Sequence, residues 1–405
     1  MTAAAVVELG DVAVFVRGIT FKPDDVVPVG TPGSAACMRT KNVQAELDLS
    51  DVWGIPESLV RRDDQYLIPG DMLVSSANSW NLVGKCCWVP SLPWRSTFGG
   101  FISALRPNPA KVDPRYLFRW FASGRTQATV RSFGQQTTNI SNLNVDRCLK
   151  LKLRLPPLAE QRRIAEILYK ADALRAKRRA ALTQLDTLTQ SIFLDMFGDP
   201  SARGWRMTTV EGVAAKVDGA IRTGPFGSQL LHGEFTEVGI PVLGIDNAVD
   251  NQFRWGQPRF ISEAKYRALS RYTVRPGDVL ITIMGTCGRC AIVPDDIPIA
   301  INTKHLCCIT LDRSACLPVF LHSYFLHHPI ARAYLGKQSK GAIMDGLNMG
   351  IIKELPIPLT PIDLQEAFAA RLGVARQVAD CHLRSLAEFE TLFVSAQHRA
   401  FHGEL

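Results

Sequence analysis

The sequence predicts an α+β protein built twice, with two mixed α/β domains separated by two long helices that form an antiparallel coiled coil, related by a pseudo-two-fold internal repeat. Three observations predict it. The second half of the 405 residues falls on the first at an offset of 204. Each half opens on short apolar runs broken by Pro-Gly turns, the signature of strands. Each half then closes on a long stretch of apolar residues stepping alternately by three and four, the signature of a helical seam.

The repeat is carried by matched residues along its whole length. Gly84-Lys85-Cys86-Cys87-Trp88-Val89-Pro90 lies over Gly288-Arg289-Cys290-Ala291-Ile292-Val293-Pro294. Pro114, Tyr116, Leu117, Trp120 and Phe121 lie over Pro318, Phe320, Leu321, Tyr324 and Phe325. Leu143-Asn144 matches Leu347-Asn348, and Leu155, Pro157, Leu158 and Gln161 match Leu359, Pro361, Ile362 and Gln365. Pro69-Gly70-Asp71 recurs as Pro276-Gly277-Asp278 at an offset of 207, so a small length change separates that turn from the next matched strand. Solenoid repeats run to about 20–50 residues; this period implies two copies of a whole domain and helix. The segments Arg39 to Tyr66 and Thr223 to Tyr266 do not match in sequence.

In the first domain, residues 1–156, strands are expected at Val12 to Val16 and Met72 to Ser75, and a helix at Asp113 to Phe121 with proline in its first turn, where it is tolerated. The first helix, residues 157–199, runs from about Leu158 to Met196 before Gly198-Asp199-Pro200 stops it. Its expected seam is Ile164, Ile167, Ala171, Leu174, Arg178, Ala181, Leu185, Leu188 and Ile192. At ~1.5 Å per residue its length is about 58 Å. The second domain, residues 200–360, repeats the strands, as in Val279 to Ile283. The second helix, residues 361–405, has the seam Ala375, Ala379, His382, Leu386, Phe389, Phe393, Ala396 and Ala400. Arg178 and His382, one repeat apart, are the strongly polar mid-seam positions, a device that can fix register.

A net charge of +8 points modestly to an acidic partner such as nucleic acid. Met1 to Val16 is apolar but carries Glu8 and Asp11 without a basic start, unlike a signal peptide. No uncharged apolar run approaches the ~18 residues of a membrane span, so a cytoplasmic, non-membrane protein is expected. In that compartment the ten cysteines are expected to be free buried thiols. Cys287 and Cys290 with Cys307 and Cys308 resemble half a zinc site, but their repeat partners are Val83, Cys86, Ser103 and Ala104, which argues for strand packing and no metal.

Catalytic signatures are missing. Val83-Gly84-Lys85-Cys86 lacks the leading glycine and the hydroxyl of a phosphate loop. Asn108-Pro109-Ala110 is a turn, not the Asn-Pro-Pro-aromatic run with which amino-methyltransferases hold a base. Glu263-Ala264-Lys265 lacks a preceding aspartate in a strand, and His305, His327 and His328 lack partners at metal spacing. No catalytic residue is expected, which sets aside a self-sufficient modification enzyme.

Leu155-Pro156-Pro157-Leu158-Ala159-Glu160-Gln161-Arg162-Arg163-Ile164 resembles the start of the conserved region of type I restriction-modification specificity subunits. Phe193-Leu194-Asp195-Met196-Phe197-Gly198-Asp199-Pro200 resembles its end, and Arg399-Ala400-Phe401-His402-Gly403-Glu404-Leu405 the family's C-terminus. Gly341 to Asn348 is similar to a segment of the family's recognition domains, and the resemblance spans essentially the whole chain. The second helix departs from it, opening Ile362-Asp363-Leu364-Gln365 where Glu-Gln is usual. The resemblance implies a non-catalytic subunit with two target recognition domains, each reading one half of a split, asymmetric sequence in double-stranded DNA. It implies a coiled coil that sets the spacer and docks two methyltransferase subunits, with restriction-translocase subunits completing the complex. S-adenosylmethionine, ATP and magnesium then belong to those partners, and this chain binds no cofactor. The competing expectation is a coiled-coil scaffold with two protein-binding domains.

Loop residues that differ between the copies and carry base- or phosphate-reading groups are the candidate DNA contacts, amides suiting adenine and guanidinium suiting guanine. In the first domain these are Arg39, Lys41, Asn42, Asn78, Trp80, Asn81, Gln135, Gln136, Thr138 and Asn139. In the second they are Arg222, Thr223, Ser228, Gln229, Asn247, Asn302, Lys304, His305 and Lys340.

Overall fold

The computed structural model describes residues 5–136, 140–339 and 347–404. It is mixed α and β with two long helices, Leu158–Phe197 and Ile362–His402, of 40 and 41 residues. Contacts divide the chain into two units that cut through both helices: residues 1–179 with 384–405, and residues 180–383. Each unit therefore holds one domain, the start of the helix that follows it and the end of the other helix.

In unit 1 the main sheet is antiparallel in the order Ala13–Arg17, Ile102–Pro107, Met72–Ser75, Cys86–Trp88. Met72, Leu73, Val74 and Ser75 are all buried because both faces of this sheet are covered. Met72 and Val74 pack with Tyr116, Leu117 and Phe121 of the helix Pro114–Phe121. Leu73 faces the other way, among Val16, Met38 and Phe98. Such a strand reads as an unbroken apolar run rather than an alternating one.

A second sheet supplies the far layer: Val27–Pro28, Trp53–Pro56, Ser34–Met38, Ser96–Phe98, with the last pair parallel.

Unit 2 repeats this frame. Its main sheet runs Ile221–Thr223, Leu306–Ile309, Val279–Thr282, Cys290–Ile292, and the helix Pro318–His327 covers one face. Its second sheet runs Phe235–Thr236, Phe260–Ile261, Ile240–Leu243, Ile301–Asn302, again ending in a parallel pair. The segments that diverged in sequence have thus kept their topology. Even a close approach is repeated. A β-carbon on Gly18 would meet the Gly99 carbonyl oxygen at 2.3 Å, and one on Gly224 would meet that of Asn302 at 1.9 Å. In both places only glycine lets one strand cross the other.

The Pro-Gly-Asp turns are explained by what their aspartates do. Gly70 and Gly277 adopt positive φ (98° and 78°), which turns the chain so that Asp71 and Asp278 point inward. Asp71 is fully buried and takes two hydrogen bonds from the Arg106 guanidinium, at 2.8 and 2.7 Å. Asp278 is held by Arg222 at 2.6 Å, by the Thr310 hydroxyl at 2.6 Å and by the Arg275 N–H at 2.9 Å. Thr310 stands one repeat from Arg106, so the carboxylate is kept while its arginine comes from a different strand.

Both domains meet their helices through the same glutamine. Gln161 and Gln365 are buried. Their side-chain oxygens accept the N–H of Asp113 and of Leu317, each at 2.8 Å. Their amides donate to the carbonyls of Pro156 (2.7 Å) and Thr360 (3.1 Å). Apolar packing completes each joint. In unit 2, Phe193 and Phe197 stack against Phe320 and Phe368, with Phe197 and Phe320 ring centroids 4.8 Å apart. In unit 1 the corresponding contact is Phe401 on Tyr116 at 5.5 Å.

Within unit 1 the two helix pieces run antiparallel: Arg175 reaches the Phe393 ring, whereas Arg179, one turn further on, reaches back to Glu390 at 2.6 Å. The expected seam of the second helix is at least partly buried throughout. In the first helix Ile164, Ile167, Ala171, Arg178, Ala181, Leu185 and Ile192 are at least partly buried, and the expected seam is one residue out at Leu174 and Leu188. Leu174 and Leu188 are 44% and 49% exposed, while Leu168 is fully buried and Arg175 and Leu182 are half-buried. Arg175 can replace leucine because its guanidinium lies 4.4 Å from the centre of the Phe393 ring and meets Asp172 at 2.9 Å.

No cysteine is joined in a disulfide, and Cys37, Cys87, Cys148, Cys307 and Cys316 are buried thiols whose pKa desolvation pushes up to about 12, hence inert, whereas Cys381 is exposed, against the expectation of burial. Among the described residues no group of His, Cys, Asp and Glu could hold a metal ion, and no helix is long and apolar enough to cross a membrane.

Four histidines of unit 2, His305, His322, His327 and His328, lie below the ordinary imidazole value, with burial the largest cause in each. His328 shows why: its Nε2 donates to the Phe197 carbonyl (3.1 Å) and its Nδ1 accepts the Ile330 N–H (3.2 Å), an arrangement only the neutral ring allows. The unfolded chain, titrating near ~6.5, binds protons that the folded unit refuses. Stability should therefore be level above that pH and fall as pH drops below it, by at most about 1.4 kcal/mol per pH unit for each fully buried ring. Urea melts at pH 7.5 and 5.5 check this; equal midpoints would contradict it.

Candidate nucleic-acid interface

In unit 1 a third, small sheet gathers several candidates. Strand Gly134–Gln136 pairs with Ser141–Leu143, which pairs with Ala77–Asn78. Gln135 and Asn78 thus belong to one small sheet, whose first strand also holds Gln136, with exposed Trp80 and Asn81 on the loop that follows Asn78. Asn78 is half-occupied, donating to the Ser75 hydroxyl (3.0 Å) and accepting the Ser79 N–H (2.8 Å). Thr138, Asn139 and Lys340 lie outside the described residues.

The loop 39–53 of the second sheet is tied to this surface. Gln44 donates to the Lys41 carbonyl at 2.7 Å and accepts from Lys85 at 2.6 Å. Arg39 is mostly committed inside the loop: its guanidinium lies 3.5 Å over the Trp53 ring and pairs with Asp51 at 3.1 Å. Lys41 meets the same carboxylate at 2.6 Å but is exposed, free to exchange water for a phosphate. Lys41 and Arg39 hold the Asp51 carboxyl below the usual range.

In unit 2 a cavity of about 640 Å³ opens beside the second sheet, lined by Phe235, Gly244, Ile245, Asp246, Val249, Gln257, Arg259, Thr303 and His305. At its wall Asp246 pairs with Arg259 and accepts the Gln257 N–H at 2.8 Å. Burial pushes its carboxyl up, but these partners outweigh that and leave it below the ordinary value. His305 is kept neutral by burial, then by Lys304 and Arg259, so its ring can offer one donor and one acceptor. Thr223 and Lys304 are partly exposed, and Ser228 is exposed. Gln229 is exposed too, although its oxygen accepts from the Tyr272 hydroxyl at 2.9 Å. Asp246 and Arg259 stand 13 residues apart in the chain, and only the fold closes them into a pair.

Four expectations are corrected. Arg222 is 8% exposed and its guanidinium is spent on Asp278, Thr310 and the Thr273 carbonyl. Asn42, Asn247 and Asn302 are buried. Asn42 accepts the Arg39 N–H (2.8 Å) and donates to the Asp48 carbonyl (2.7 Å). Asn247 repeats this with the Gly244 N–H and the Arg254 carbonyl, both at 2.8 Å. Asn302 donates to the Leu306 carbonyl at 3.0 Å. These amides satisfy loop backbone that would otherwise be buried without partners.

Residues 3–184 match the family model described as the type I restriction modification DNA specificity domain. In that segment the chain is similar to the type I specificity subunits. The match with this family extends beyond that segment. The specificity subunit of the type I restriction enzyme EcoKI from Escherichia coli K12 is 23% identical over 97% of this chain and 87% of its own length. That of StySPI from Salmonella potsdam is 25% identical over 99% and 89%. In fold, the chain is similar to the crystal structure of a type I S subunit from M. genitalium (TM-score 0.58, 13% identity, 98% and 96% covered). It is also similar to a chain from a structural study of complex assembly and conformational transition in a type I system (TM-score 0.57, 16% identity, 100% and 99% covered).

Proposed function

We propose that this specificity subunit directs a type I restriction-modification complex to one bipartite, asymmetric DNA sequence, unit 1 reading one half and unit 2 the other. The observation that carries this is the repeated frame with unlike surfaces. Both units keep the same sheets, the same buried glutamine and the same loop-holding asparagine, yet the exposed positions differ in chemistry. Half-site separation follows from the distance between reading domains, and the long helices, paired as an antiparallel coiled coil, are the spacer. The same helices and the shared outer faces dock two methyltransferase subunits, and restriction-translocase subunits join the complex. S-adenosylmethionine, ATP and magnesium are bound by those partners, and the complex acts on DNA in the cytoplasm.

Sequencing the methylated bases of a host with and without this chain tests the proposal. Adenine methylation at a single split motif should disappear with the chain. Replacing residues 5–156 by another member's domain should then change one half of the motif and leave the other. An unaltered methylation pattern after deletion would overturn it.

A further inference from the structure

Unit 1 presents four large apolar side chains to solvent in one place. Trp80, Leu82, Phe101 and Ile140 are 43%, 42%, 63% and 43% exposed. The Phe101 carbonyl accepts the N–H of Ser76 (3.0 Å) and of Ala77 (3.1 Å), at the edge of the three-stranded sheet. Ile140 enters that sheet beside Ser141, which pairs with Asn78. The Trp80 indole lies over Gly134, where an added β-carbon would meet the ring at 3.3 Å. Apolar exposure gathered around one small sheet in this way marks a contact surface.

Charge and chemistry select the occupant. Residues 76–85, 99–103 and 131–144 contain Lys85 and Arg131 and no aspartate or glutamate. Amides and hydroxyls, Asn78, Ser79, Asn81 and Gln135, rim the patch. A polyanion with flat apolar faces, duplex DNA, fits such a surface. A partner protein docking alike on both units fits it poorly, because one repeat on, Trp80, Leu82 and Phe101 become Met284, Thr286 and His305.

We propose that Trp80 and Phe101 form an aromatic wedge that enters a base step of the half-site read by unit 1, unstacking and bending it there. This rests on the DNA-reading function proposed above. Part of the specificity of unit 1 is then deformability: a pyrimidine–purine step at the wedge is favoured over a stiff one, although no side chain reads its edges. Unit 2, without the paired rings, leaves its half-site stacked.

The test uses the chain assembled with its methyltransferase subunits and a cognate duplex carrying 2-aminopurine at successive positions of each half-site other than the methylated adenines, which a methyltransferase itself flips out of the stack. Fluorescence should rise at one step of one half-site only. Trp80→Ala and Phe101→Ala should abolish the rise and weaken cognate binding by about 10- to 100-fold, and Phe101→Ala, at the more exposed ring, should leave thermal stability unchanged. A rise that survives both substitutions, or no rise in either half-site, overturns the wedge. Variants that no longer assemble with the methyltransferase overturn it too, making the patch a protein contact. Gln135→Ala separates the levels. If it alters methylation while the ring variants do not, the wedge falls and the reading surface stands; if none alters methylation, both fall.

Discussion

Replacing Arg222 by alanine is expected to destabilise unit 2 by about 3–5 kcal/mol, and not to change the sequence the folded molecule recognises. The substitution leaves Asp278 1% exposed and stripped of its cation. Its oxygens would keep the Thr310 hydroxyl, the Arg275 N–H and the weakly donating Cys308 thiol, all neutral partners. Burying a carboxylate on such terms costs far more than the pair contributes net, because desolvation is no longer offset. The double variant Arg222→Met with Asp278→Asn removes both charges and should recover much of the loss. A urea melt reads the stability and the methylated motif reads the specificity. A stable Arg222→Ala protein with a relaxed motif would contradict the burial argument.

Phe197→Ala is the second large effect, expected to cost about 3–5 kcal/mol. The ring is fully buried where the end of the first long helix meets the second domain, with centroids of Phe320, Phe193 and Phe368 at 4.8, 5.2 and 5.6 Å. Its carbonyl also accepts from His328. The aromatic walls are too stiff to close on the vacated space, so the cavity term adds to the lost transfer energy. Phe401→Ala, at the equivalent place in unit 1, should cost less. Phe401 is only partly buried and meets a single ring, Tyr116, while Ile164 and Gln397 stand where unit 2 has Phe368 and Phe193. Thermal melts of the two variants compare them directly, and equal losses would show that burial does not set the difference.

Much of the frame was legible in the sequence because it rests on long-range identity. The 204-residue offset, the Pro-Gly-Asp turns and the first helix, expected to end at Met196 and ending at Phe197, needed only residue type and spacing. The second sheet was illegible for a physical reason. Strands as short as Val27–Pro28 and Phe235–Thr236 span too few residues to show a period, so shared topology survived while sequence likeness did not. At position 174 the expected seam of the first helix slipped by one because leucine was placed inside and Arg175 outside. Arg175 reverses that with its guanidinium over Phe393 and its charge on Asp172. In the site, Asn42, Asn247 and Asn302 have the chemistry of base readers but use it on their own loops. An amide that recognises adenine and one that caps a turn are the same group, and only burial tells them apart.

The migrating arginine has a consequence for how such chains recombine. Asp71 and Asp278 hold equivalent turns, but the cation arrives from Ile102–Pro107 in one unit and from Ile221–Thr223 in the other. A crossover inside a domain can therefore bring together two guanidinium groups at one carboxylate, or none. A crossover in the long helices keeps each acid with its own base. Inheritance by whole-domain exchange, with breakpoints in the helices rather than the sheets, is what this interior permits, and laboratory chimeras joined there should fold where finer grafts fail.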